Sequence, residues 1–112
     1  MAHETFEVHP RNGADLHSLR GWLERDSSLA GAQLTQQPEI EERGGGDVAM
    51  WLSVGISGAQ LAQALITSVW TWTRAQPAPT RVRMRRGDAE IDITANLTPD
   101  AIERLVERFL QS

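Results

Sequence analysis

Apolar residues recur at helical spacing over residues 58–76, GAQLAQALITSVWTWTRAQ. Stepping about 100° per residue from Leu61 brings Leu65, Val69 and Trp72 within roughly 80° of it, and Ala62, Ile66 and Trp70 complete an apolar half-circle. Gln60, Gln63, Thr67, Thr71 and Arg74 fill the opposite side. This arc is wider than the stripe of an ordinary surface helix, so the helix is expected to press one flank on a sheet and the other on a second surface, either another helix or a partner. Ser57 followed three residues later by Gln60 has capping-box spacing, which places the helix start at Gly58, and the prolines at 77 and 79 end it.

The remaining periodicities are shorter. Residues 5–9 alternate Phe6 and Val8 with Glu7 and His9, the period of a half-buried strand. After the turn residues Asn12 and Gly13, residues 14–25 set Leu16, Leu19 and Leu23 on one helical face with Trp22 at its edge. Asp26, Ser27 and Ser28 break that helix, and Leu29 is expected to pack beneath it. A weak strand follows over residues 32–37, with Leu34 inward and Pro38 as its stop. Residues 48–54 form a short apolar run that suits either a buried strand or a helix, and its neighbours do not arbitrate. The expectation is a short helix, kinked into the long one at residues 55–58.

The C-terminal third is the most clearly patterned. Residues 80–86 and 89–95 flank Gly87-Asp88, a two-residue turn with glycine first, suited to a type II′ hairpin. The register sets Met84 opposite Ile91 and Val82 opposite Ile93 on one side, and Arg85 opposite Glu90 and Arg83 opposite Asp92 on the other. Thr98 then has the place of an N-cap, with Pro99 at the first helical position and Leu97 and Ile102 spaced as a hydrophobic staple. Ile102, Leu105, Val106, Phe109 and Leu110 share one face of that last helix. The elements predict an α+β fold: a small sheet of about four strands, antiparallel or mixed, with a terminal β-hairpin and helices packed on one face. Their order is β-α-β-(α)α-β-β-α, and residues 1–112 form a single domain.

Composition narrows the function classes. The 112 residues carry a net charge of −4, with both signs spread along the chain, so the total implies neither a nucleic-acid nor an anionic-membrane footprint. With no cysteine there is no disulfide, thiolate zinc site or cysteine nucleophile, and the cytoplasm is the expected compartment. The first ten residues lack the basic start and apolar run of a secretory signal. The charge-free stretch between Asp47 and Arg74 is interrupted by Ser53, Gly55, Ser57, Gly58, Gln60 and Gln63, and no membrane span is expected. Residues 39–46, EIEERGGG, combine charge with three glycines and are expected to be a mobile loop.

No catalytic constellation emerges. His3, His9 and His17 match no metal-binding spacing. Ser57 lacks the G-x-S-x-G elbow, and Gly44 to Gly46 is not followed by the Lys-Ser/Thr pair of a phosphate loop. The arginine stripe at 81, 83, 85 and 86 suggests a phosphate or nucleic-acid surface, but the acids opposite two of its members neutralise much of it, and no nucleic-acid partner is expected. Neither metal, cofactor nor catalytic residue is assigned, and the chain is not expected to be an enzyme. The four tryptophans are mostly core, but Trp51 and Trp70 have a composition favoured at interaction hot spots. Trp51, Trp70 and Ile66 are the candidate partner-binding residues.

The first helix, LHSLRGWLERDSSLAG, resembles the effector-associated constant component family of actinobacteria and related bacteria. So do the run DVAMWLSVGISGAQLAQALITSVWTWTR after a glycine-rich loop, the hairpin, and the TPDAIERLVERFL helix. The most specific features are Leu19, Trp22, Leu23 and Asp26, the small-residue joint at 55–58, and Trp70 or Trp72. The charged loop at 39–46 and Trp51 depart from the family pattern. The resemblance implies a non-enzymatic adaptor in a bacterial conflict or immunity system, coupling sensing to an effector such as a trypsin-like or caspase-like peptidase by protein contact. The alternative is a small-molecule or peptide-sensing regulatory domain, with homodimerisation through a sheet edge or the long helix.

Overall fold

The computed structural model describes residues 3–38 and 50–111. The loop expected at 39–46 lies outside them. In chain order the elements are β1 (His3–Pro10), α1 (Gly13–Arg25), a 3₁₀ turn (Ser27–Leu29), β2 (Gln33–Pro38), β3 (Met50–Ser57), α2 (Ala59–Ala75), β4 (Arg81–Arg86), β5 (Ala89–Thr94) and α3 (Pro99–Gln111). The fold is α+β, and among the described residues the sheet has five strands in the order β2-β3-β1-β4-β5, every neighbouring pair antiparallel. Strands β1 to β4 with α1 and α2 make the split βαβ, ferredoxin-like arrangement, which β5 and α3 extend.

One expectation is corrected. The run assigned to a short helix is β3, which pairs with β2 on one side and β1 on the other. Leu52, Val54 and Ile56 alternate with Trp51, Ser53, Gly55 and Ser57, and the first set is buried while the second is partly or fully exposed. The β-branched residues and the period of two suit a pleated sheet, and two flanking strands take up the backbone hydrogen bonds that a helix would have satisfied internally. Consequently Ser57 ends a strand instead of capping a helix. Gly58 takes the N-cap position of α2 at φ 94°, ψ 150°, with no side-chain cap. That backbone conformation is essentially restricted to glycine.

Elsewhere local chemistry and structure agree. The Asn12 side chain accepts the Asp15 N–H at the start of α1, and Thr98 accepts the Ala101 N–H at 3.1 Å at the start of α3. The β4–β5 register pairs Val82 with Ile93, Met84 with Ile91, Arg83 with Asp92 and Arg85 with Glu90, as the alternation predicts. Gly87 turns the hairpin at φ 61°.

The buried strand residues Phe6, Val8, Leu52, Val54, Ile56, Val82, Met84 and Ile93 all face one side of the sheet, where the helices lie. Helix α2 occupies the middle of that layer, touching both α1 and α3 as well as the sheet. This placement explains its wide apolar arc: the second surface is made by the flanking helices. Two reciprocal bonds tie α1 to α2, from Trp22 Nε1 to Ser68 Oγ and from Trp72 Nε1 to Ser18 Oγ, both 3.1 Å. Helix α3 is fastened by an edge-on contact of Phe109 with Phe6, centroids 5.6 Å apart. Arg86 adds a donor to the Phe109 carbonyl at 2.7 Å and to Glu4 at 3.2 Å.

Candidate functional site

Because the helices cover one side, the alternate residues of every strand form an open face. One row across it reads Thr35, Ser53, Glu7, Arg85 and Glu90. The next contains Gln37 beside Trp51, and His9 beside Arg83 and Asp92. The two parts of this second row join at Trp51 and His9, whose rings stack with centroids 5.3 Å apart at 20°. The imidazole is also held by the Glu7 carboxylate, 2.9 Å from Nε2. The Trp51 ring is thus fixed in orientation while remaining partly exposed.

Strand β4 places Arg81, Arg83 and Arg85 at alternate positions, all exposed. Arg83 Nε lies 3.2 Å from Glu90 and 3.3 Å from Asp92, and Arg85 Nε lies 3.6 Å from Glu90. Such exposed pairs orient the side chains more than they stabilise the fold. Arg81 and the neighbouring Arg11 are exposed and form no ion pair among the described residues. Together with His9 and Glu90, the four arginines line a shallow concavity of about 300 Å³. Among the described residues the face therefore offers two cations oriented by acids and two outside any ion pair, next to a fixed aromatic surface. A second hollow of about 420 Å³ lies between α1 and α2, walled by Trp22, Gln60, Gln63, Thr67 and Thr71. Its one charged side chain, Asp26, is engaged by Ser28.

The three candidate residues do not form one patch. Trp51 stands on the open face. Ile66 is 0% exposed and Trp70 is 8% exposed, both in the core beneath the helix layer. Arg74 lies over the Trp70 ring, 4.9 Å from its centroid. The arginine stripe also divides, since Arg86 turns to the helix side while Arg81, Arg83 and Arg85 face outward. The Trp51–His9 stack could not be read from either residue alone, because it needs β3 to be a strand beside β1. Among the described residues no group of three or more His, Cys, Asp or Glu side chains is placed to hold a metal ion. No helix among them is long and apolar enough to cross a membrane.

The family model of Effector Associated Constant Component 1 matches residues 8–110, which include all five strands at least in part and almost all of the helix layer. The chain belongs to that family. The family match spans almost all of the helix layer and most of the sheet, and singles out no side chain. No curated protein and no solved structure matches the chain.

Proposed function

We propose that this effector-associated domain is a cytoplasmic, non-enzymatic adaptor that couples sensing to an effector in a bacterial conflict system, with the open face of the sheet as its contact surface. The observation that carries this reading is the asymmetry of the sheet. One face is sealed by three helices among the described residues, while the other displays Trp51, oriented by His9, beside arginines held outward on β4. Tryptophan and arginine are the residues most enriched at binding hot spots, and a rigid backbone below them limits the entropy lost on docking. Family membership supports an effector as the partner, and a trypsin-like or caspase-like peptidase fits the role.

The test is co-purification from the native cells with the tagged chain as bait, followed by calorimetric titration of the chain with the effector recovered. The wild type is expected to form a complex, and the Trp51→Ala, Arg83→Ala double variant to bind at least about tenfold more weakly with its fold intact. Absence of a complex, or a complex indifferent to both substitutions, would overturn the proposal.

A further inference from the structure

The arginine end of the open face has a spacing and a charge state that specify what it can hold. We infer that it binds an extended acidic peptide segment, with carboxylates on Arg11 and Arg81 and an apolar side chain against Trp51. This inference rests on the adaptor reading and gives its partner a chemistry. Outward side chains two residues apart on a strand recur every 7 Å or so, the same repeat as alternate side chains of an extended peptide. An extended segment therefore stays in step with the outward row of β4, and an acid over Arg81 also lies beside Arg11, which follows the end of β1 and lines the same concavity. Arg83 and Arg85 already share Glu90, and Arg83 also pairs with Asp92, so among the described residues the cations left outside ion pairs for incoming carboxylates are Arg11 and Arg81. A guanidinium fork matches a carboxylate bidentately and fixes its orientation.

The aromatic anchor is correctly placed. Trp51 is two strands from β4, on the order of 10 Å at the usual strand spacing, within reach of a neighbouring side chain of the same segment. The size of the concavity, about 300 Å³, suits a short segment better than a long polymer. A nucleic-acid strand is disfavoured by the same face. Glu7, Glu90 and Asp92 are interspersed among the arginines, and the chain as a whole carries −4, so a polyanion tracking over the surface meets repulsion soon after leaving the patch.

The probe is a fluorescein-labelled peptide of about ten residues in which glutamates alternate with serines around one central tryptophan, titrated by fluorescence anisotropy. Its lysine analogue and a single-stranded oligonucleotide of similar length serve as controls. The acidic peptide is expected to bind the wild type, to weaken as salt rises, and to bind about tenfold more weakly to the Arg11→Ser, Arg81→Ser variant. Equal binding of the lysine analogue, tighter binding of the oligonucleotide, or an undiminished affinity of the variant would overturn the inference. The same variant is then titrated with the effector. If the wild type and the variant bind the effector equally, the acidic-segment inference falls while the adaptor reading stands. If the wild type binds the acidic peptide as expected but no effector, the adaptor reading falls alone.

Discussion

Trp22, Ser68 and Asp26 form a polar chain at the point where α1 gives way to the 3₁₀ turn. The Trp22 N–H donates to Ser68 Oγ, and Ser68 is 4% exposed, so its own hydroxyl needs a nearby acceptor. Asp26 supplies one. The Ser28 hydroxyl, and after it the Ser68 hydroxyl, hold the Asp26 carboxyl below its ordinary pKa, against an opposing contribution from burial. Ser28 also gives Asp26 its backbone N–H at 2.9 Å, which makes the carboxylate the N-cap of the turn. A carboxylate with a depressed folded-state pKa contributes stability that is fully present above the unfolded value, about 3.9, and is lost as pH falls through the folded value. Asp26→Ala is therefore expected to lower the unfolding free energy by about 1 kcal/mol at neutral pH. The difference from wild type should shrink in acid, as the pH falls through the lowered folded-state value and the native carboxyl protonates as well. Urea unfolding at neutral and at acid pH measures it, and a gap independent of pH would remove the charged carboxylate from the account.

The joint between β3 and α2 depends on one backbone conformation. Gly58 has open space where a Cβ would stand, so Gly58→Ala tests backbone strain without a clash. A loss of about 1–3 kcal/mol is expected from the φ of 94° alone, read as a lowered denaturation midpoint with an unchanged slope. A loss under about 0.5 kcal/mol would mean that the joint adopts another conformation. The same joint marks the limit of what the chain reveals by itself. The helix α2, the hairpin β4–β5 and the helix α3 announce themselves because their signals are local: a period of 3.6, a Gly-Asp turn between alternating runs, and Thr98 before Pro99. Strand β3 carried its alternation in Leu52, Val54 and Ile56, but a run of apolar and small residues next to a strong helix reads equally as that helix's first turns. Only β1 and β2 on either side decide it. The site was legible to the same degree. The arginines at 81, 83 and 85 and their opposing acids follow from the hairpin register, whereas the Trp51–His9 stack and the company of Arg11 depend on strands far apart in sequence. Burial of Ile66 and Trp70 has a similar cause, since a helix cannot show from its own pattern whether neighbours will close over its flanks.

Across the whole molecule, stability and recognition are assigned to opposite sides of one sheet. The apolar core lies entirely between the sheet and the helices, and Ile66 sits within it at 0% exposure, reaching from the central helix. On the other side the strands present charged and polar groups whose ion pairs are about half exposed, as with Arg83 at 51% and Asp92 at 42%. Energies should divide accordingly. Ile66→Ala leaves a cavity in a packed interior and is expected to cost about 2–5 kcal/mol in urea unfolding. Arg81→Ser removes an exposed side chain and is expected to stay within about 0.5 kcal/mol of wild type. Binding should reverse the order. Once the destabilised variant is assayed at a temperature where it remains folded, Ile66→Ala should keep its affinity for the effector, and Arg81→Ser should lose affinity without losing stability. If Ile66→Ala instead abolished binding while folded, or Arg81→Ser unfolded the chain, the sheet would not separate the two functions and the contact surface would have to include the helix layer.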